Sequence, residues 1–238
     1  MARESMDTDR RDARIAGALV LAGMLAGALS VVPVLERPDY LMLLPAHESQ
    51  ILLGAGAQLL MVPACVGFAI YLYPTLRRAN EALSLGFVGF RLIAAVFHFV
   101  GVILLPLLLI LGEGAVQGPG VDPSPSEVVA ELLRTARDLV NHVALIIALC
   151  IGDLLLFRIL HQWQLVPRWL SGWGLLGAAL ALAASSMVLF GLAEVVTPLY
   201  LALNAPLAAQ SVVLAGWLIA KGLDTSRLRS GPAERRVS

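Results

Sequence analysis

Charge is scarce in this chain: Asp, Glu, Lys and Arg make up 14% of its 238 residues, against about a quarter in soluble domains. Neither sign prevails, because 17 Lys and Arg stand against 17 Asp and Glu. The missing basic excess argues against a nucleic-acid partner, and the missing acidic excess against a solvating disordered tail. Cysteine is nearly absent as well. Cys65 and Cys150 both lie inside apolar runs, where a thiol serves most often as a small apolar filler. There is no paired-cysteine motif and no His-Glu-x-x-His to hold zinc. Gly-x-Ser-x-Gly, a phosphate-cradling glycine loop and a dinucleotide fingerprint are missing too. The reading therefore assigns no catalytic residue, no metal site and no cofactor. What the chain has in excess is apolar: 58% hydrophobic residues and a mean hydropathy of +0.82, values that exclude an ordinary soluble globule and point to a lipid bilayer as partner.

Crossing a hydrocarbon core of about 30 Å takes about 20 apolar residues at 1.5 Å each. Six runs meet that length, over 15–35, 51–73, 83–111, 139–160, 170–193 and 199–220. They predict an all-α, six-helix transmembrane bundle occupying 15–220, with a charged N-terminal tail (1–14) and a basic C-terminal tail (221–238). The first run exceeds the core of a signal peptide, and its lead mixes Arg10, Arg11 and Arg14 with Asp7, Asp9 and Asp12. It reads as an anchor. Thirteen of the seventeen Lys and Arg fall in 1–14, 74–82, 158–169 and 221–238, whereas the alternate connections carry three. Because cytoplasmic loops retain positive charge, both termini are expected in the cytoplasm. Trp163, Trp169, Trp173 and Trp217 gather at that same expected interface, where an indole buries its ring and keeps its N–H wet.

Between the third and fourth spans, Ser124-Pro125-Ser126-Glu127 has the form of a capping box with proline at the first helical position. A helix is expected over 125–138. Val128, Leu132, Ala136, Leu139 and Val143 recur at helical spacing, which predicts an amphipathic helix running into the fourth span, part-covering the outer mouth. Leu83–Gly89 and Leu170–Gly177 echo one another at the openings of two spans. Duplicated hairpins and independent small-residue packing both account for the echo.

Ionisable groups in hydrocarbon are expensive unless they meet a partner or water, so they mark candidate sites. Arg91 and His98 are seven apart on the third span and share a face. His142 and Asp153 are eleven apart on the fourth, close to three turns, and also share one. Counted at 1.5 Å per residue, Arg91 lies about 12 Å and Asp153 about 10 Å from the same end of the bundle. An Arg91–Asp153 ion pair is expected, either as a clasp between two helices or as the centre of a site that binds something anionic or protonic. His98 and His142 sit nearly a turn apart in depth, a mismatch for the two axial ligands of a haem. Asp138, Asn141 and His142 cluster at the mouth of the fourth span, and Asn204, Pro206 and Gln210 interrupt the sixth. These complete the candidate pocket: Arg91, His98, Asp138, Asn141, His142, Asp153, Asn204 and Gln210, lined by the third, fourth and sixth spans.

Gly86-Phe87-Val88-Gly89-Phe90-Arg91, Ala136-Arg137-Asp138, Leu165 to Gly174 and Trp217 to Gly222 resemble the bacterial "domain of unknown function 4386" family. Asp39-Tyr40-Leu41 and Leu72-Tyr73-Pro74 do so too, and the likeness runs from about Arg14 to Gly222. It implies a bacterial multi-pass protein of the inner membrane and carries no activity with it. The family pattern often has glutamate where this chain has Ala94 and Ser211, which implies that Asp153 stands in as counter-ion to Arg91. The expected role is binding or passage of a small solute, lipid headgroup or ion. Two other roles compete: a structural or regulatory membrane partner without ligand, and a membrane-embedded enzyme using His142 with Asp138 as an i,i+4 base pair.

Overall fold

The computed structural model describes residues 2–117, 125–195 and 197–229. Every regular element among them is helical: α1 (Ala2–Leu29), α2 (Tyr40–Leu43), α3 (Glu48–Ala79), α4 (Glu81–Gln117), α5 (Pro125–Leu139), α6 (Leu145–Trp163), α7 (Arg168–Leu189), α8 (Pro198–Ala220) and α9 (Ser226–Arg229). Six helices, counting α5 to α6 as one interrupted rod, are long and apolar enough to cross a membrane. Short 3-10 turns at Pro33–Glu36 and Pro45–His47 and one π turn at Val140–Ala144 complete the path. Ser124 of the expected capping box lies outside the described residues.

The spanning helices α1, α3, α4, α6, α7 and α8 form a closed ring, each packed on its neighbour in the chain and α8 returning to α1. Small residues permit the close approaches, since lipid tails compete with side chains on equal apolar terms and only tight backbone contact favours association. At Gly17 an added Cβ would stand 2.7 Å from the Ala215 carbonyl oxygen, so α1 and α8 touch backbone to backbone there. The same end of the bundle, where α1 begins and α8 finishes, is tied by Arg78 to Asp9 at 2.7 Å and by Arg14 Nε donating to the Ile219 carbonyl at 3.2 Å.

Helix boundaries differ from the sequence reading most at the first and third spans. The first helix stops at Leu29 rather than running to 35, because Pro33 cannot continue a helix and opens a 3-10 turn instead. It also starts at Ala2, so the charged lead is part of the rod. At 37 residues α4 is about 55 Å long, nearly twice the hydrocarbon thickness. Its second half carries a cap at the far end of the bundle, where Leu105 and Leu108 meet Val34, Leu41, Leu44 and Ala130. Arg134 on α5 fastens this cap by donating to the Leu35 carbonyl at 3.3 Å and by lying 5.1 Å over the Tyr40 ring. The helix α5 runs on into α6 as expected, with Val128, Leu132 and Leu139 exposed and Ala130 and Leu133 facing the protein. The π turn then re-phases the rod, so that Val143 is buried although Leu139 is not.

Candidate functional site

Arg91 and Asp153 are brought together by close approach of α4 and α6. A Cβ on Gly86 would meet Leu155, and one on Gly152, the residue before the aspartate, would meet Phe90 at 3.2 Å. The Arg91 guanidinium donates through one terminal nitrogen to Asp153 Oδ1, and the two side chains are only 13% and 10% exposed. Phe68 and Phe87 frame the cation at 4.9 and 5.4 Å and meet edge to face. Their π faces offer negative charge to a guanidinium that has left water. The Cys65 thiol donates to the Arg91 carbonyl at 3.6 Å.

This pair forms one end of the polar wall of a cavity of about 440 Å³ inside the ring. His98, two turns along α4 and about 10 Å away by the helical rise, stands in the same wall, with Asn204 of α8. Apart from Ser211 and two cysteines the rest is apolar: Leu19, Met61, Phe68, Leu149, Leu207 and Leu214 are representative. Volume and composition are those of a small-molecule site, largely apolar with few convergent polar groups. Among the described residues Arg91 Nε and His98 Nδ1 are buried without a hydrogen-bond partner, and Asp153 accepts its hydrogen bond through Oδ1 alone. Buried polar atoms are nearly always satisfied, and two of the five left without a partner among the described residues belong to this wall, the others being on Gln58, Arg137 and Gln210.

The structure therefore joins Arg91, Asp153, His98 and Asn204 at one cavity, and it places the other four candidates elsewhere. Asn141 accepts from Gln58 Nε2 at 2.9 Å, across Gly101. His142 Nδ1 lies 3.2 Å from the Tyr200 hydroxyl, and its carbonyl accepts from Ser185 at 2.8 Å. The expected Asp138–His142 base pair is not formed. The π turn widens the helix between 139 and 144 and takes His142 off the face of Asp138, whose charged neighbours are Arg137, Glu36 and Arg134. Gln210 is fully buried and donates to the Leu170 carbonyl at 3.3 Å, fastening α8 to the start of α7. The cavity wall also takes in α1 and α3, which the sequence reading left out. Phe87 was findable as the i−4 neighbour of Arg91; Phe68 and the α1 residues carry no such signal.

The Gln58–Asn141 bridge is testable. An alanine Cβ at Gly101 would stand 2.2 Å from Gln58 Nε2 and 2.6 Å from Asn141 Oδ1, so Gly101→Ala displaces the bond and is expected to lower stability in detergent by about 1 kcal/mol. The double change Gly101→Ala with Gln58→Ala should lose no more than Gln58→Ala alone in thermal melts.

Among the described residues no three His, Cys, Asp or Glu side chains come close enough to hold a metal ion. No curated protein and no solved structure matches the chain. A family model does, over residues 15–222: the Domain of unknown function (DUF4386). With most of its length so matched, the chain is a member of the DUF4386 family.

Proposed function

We propose that this protein binds a small molecule in the central cavity, holding the polar end against Arg91 and Asp153 and using His98 as a second contact further along the same wall. One observation carries the reading: a buried ion pair, Arg91 with Asp153, and a buried imidazole, His98, line a single, largely apolar space. A structural clasp needs the ion pair. It does not need the cavity, nor a buried imidazole without a partner beside it. The segregation of Lys and Arg toward the end where α1 begins and α8 finishes supports a cytoplasmic placement of that end, and the family resemblance supports the inner membrane of a bacterium.

Ligand binding to the folded state raises melting temperature by mass action. In nanodiscs, medium-chain alcohols and ketones are expected to raise the melting temperature of the native chain. The alcohols should leave a His98→Leu, Asp153→Asn variant unmoved. A panel in which no such compound shifts the native chain, at concentrations that saturate the bilayer, overturns the reading.

A further inference from the structure

We infer that the cavity is loaded sideways from the bilayer, through the seam between α1 and α8, and that its ligand is an uncharged, hydroxyl-headed lipophile; this rests on the binding reading above and gives it a route and a chemical class.

Both ends of the cavity along the bundle axis are closed. Towards the termini, Leu72, Leu76, Phe87, Leu156, Leu160 and Leu218 fill the ring and are almost wholly buried. At the far end the wall stops at Met61 on α3, His98 on α4 and Asn204 on α8. About one turn beyond, Gln58 reaches Asn141 across Gly101, and His142 meets Tyr200. A solute arriving from water has to break these contacts.

The seam between the first and last helices is different. At Gly17 and Ala215 they touch. Beyond that point each leans on its other neighbour: Gly23 and Gly27 lie against Ala64 and Met61 of α3, and Leu207 lies against Gly177 of α7, whose added Cβ would stand 3.0 Å from the Leu207 backbone. The residues left on the two sides of the seam, Val20 and Met24 on α1 and Asn204, Ala208 and Ser211 on α8, are themselves cavity wall. Ala208 is exposed and Met24 half-buried. A helix edge in that position faces hydrocarbon, so the molecules it admits are those dissolved in the bilayer.

The polar end of the wall selects among them. Arg91 and Asp153 already neutralise each other, so a charged head would place net charge in hydrocarbon, which the bilayer disfavours strongly. Asp153 retains an oxygen that accepts no protein hydrogen bond among the described residues, and the Arg91 guanidinium lines the same cavity. A hydroxyl donates to the first and accepts from the guanidinium. A ketone or ester satisfies only the second.

The test uses photolabelling of the full chain in lipid vesicles. The probes are a diazirine-bearing fatty alcohol, the fatty acid of equal length and a water-soluble diazirine diol, with adducts mapped by mass spectrometry. The fatty alcohol is expected to label α6 around Asp153 severalfold more than either comparator. Ala208→Trp should suppress that labelling severalfold while leaving adducts at lipid-facing Leu60 unchanged; Met24→Phe narrows the seam from the other helix should the tryptophan variant fail to fold. Equal labelling by the diol overturns the lateral route and leaves the binding reading standing. Stronger labelling by the fatty acid overturns the ligand class. Unchanged α6 labelling in the plugged variants overturns the seam. If no probe reaches α6, this proposal and the binding reading fall together.

Discussion

Asp153→Ala is expected to lower the stability of the detergent-solubilised chain by about 3–5 kcal/mol, because it leaves the Arg91 guanidinium enclosed between Phe68 and Phe87 without its counter-charge. The loss is that of an uncompensated buried charge, not the net worth of the pair. Replacing both partners by apolar residues of similar volume removes the penalty together with the attraction, and such replacements of buried pairs are often neutral or better. The double variant Arg91→Met, Asp153→Leu should therefore melt near the native temperature. Its response to medium-chain alcohols then separates clasp from site. With both groups gone, the cavity keeps its apolar walls and His98 but has lost its donor and acceptor, so the ligand-dependent shift should disappear while the melt recovers. A double variant that recovers the melt and still responds to alcohols would reduce the pair to a helix clasp. One that fails to recover the melt would show that framing by the two phenylalanines makes the charges themselves favourable.

How much of this could be read from the residues depends on which physical term sets each feature. Apolar run length sets the spans, and it located all six. Depth along a rod is set by the rise per residue, so counting placed Arg91 and Asp153 at one level, where the structure puts them in contact. What counting cannot supply is azimuth. In water a polar residue turns outward, and periodicity tells inside from outside. In a bilayer both sides of a helix are apolar, so periodicity alone does not say which side of a span packs, and on α5 the stripe of Val128, Leu132 and Leu139 is exposed. The same ambiguity hid the part of α1 in the cavity wall, since Leu19, Gly23 and Met24 resemble any lipid-facing stretch. A π turn has no sequence signature at this level, and with it went the relation between Asp138 and His142. The partners of Asn141 and Gln210 sit 83 and 40 residues away, on other helices, beyond any local pattern.

Gly174→Ala is expected to destabilise the bundle by about 1–3 kcal/mol, towards the upper end, because the new Cβ would stand 2.6–2.7 Å from three atoms of the Phe157 ring. The ring is 2% exposed and cannot swing into solvent. It can yield only toward the cavity it also lines, or by pushing α7 from α6. Gly172, two residues earlier in the same stretch of α7, has nothing within 4 Å of an added Cβ. Alanine there gains helix propensity without a clash, so Gly172→Ala should raise stability by up to about 1 kcal/mol. The opposite signs at two glycines of one helix separate packing from propensity, and paired thermal melts in one detergent suffice to read them. Function adds a second readout. If the Phe157 ring is driven into the cavity, Gly174→Ala should also weaken the alcohol-dependent shift, whereas Gly172→Ala should leave it intact. Equal destabilisation by the two alanines would mean that α6 and α7 are not locked by this ring, and the wall that Phe157 gives the cavity would lose its support.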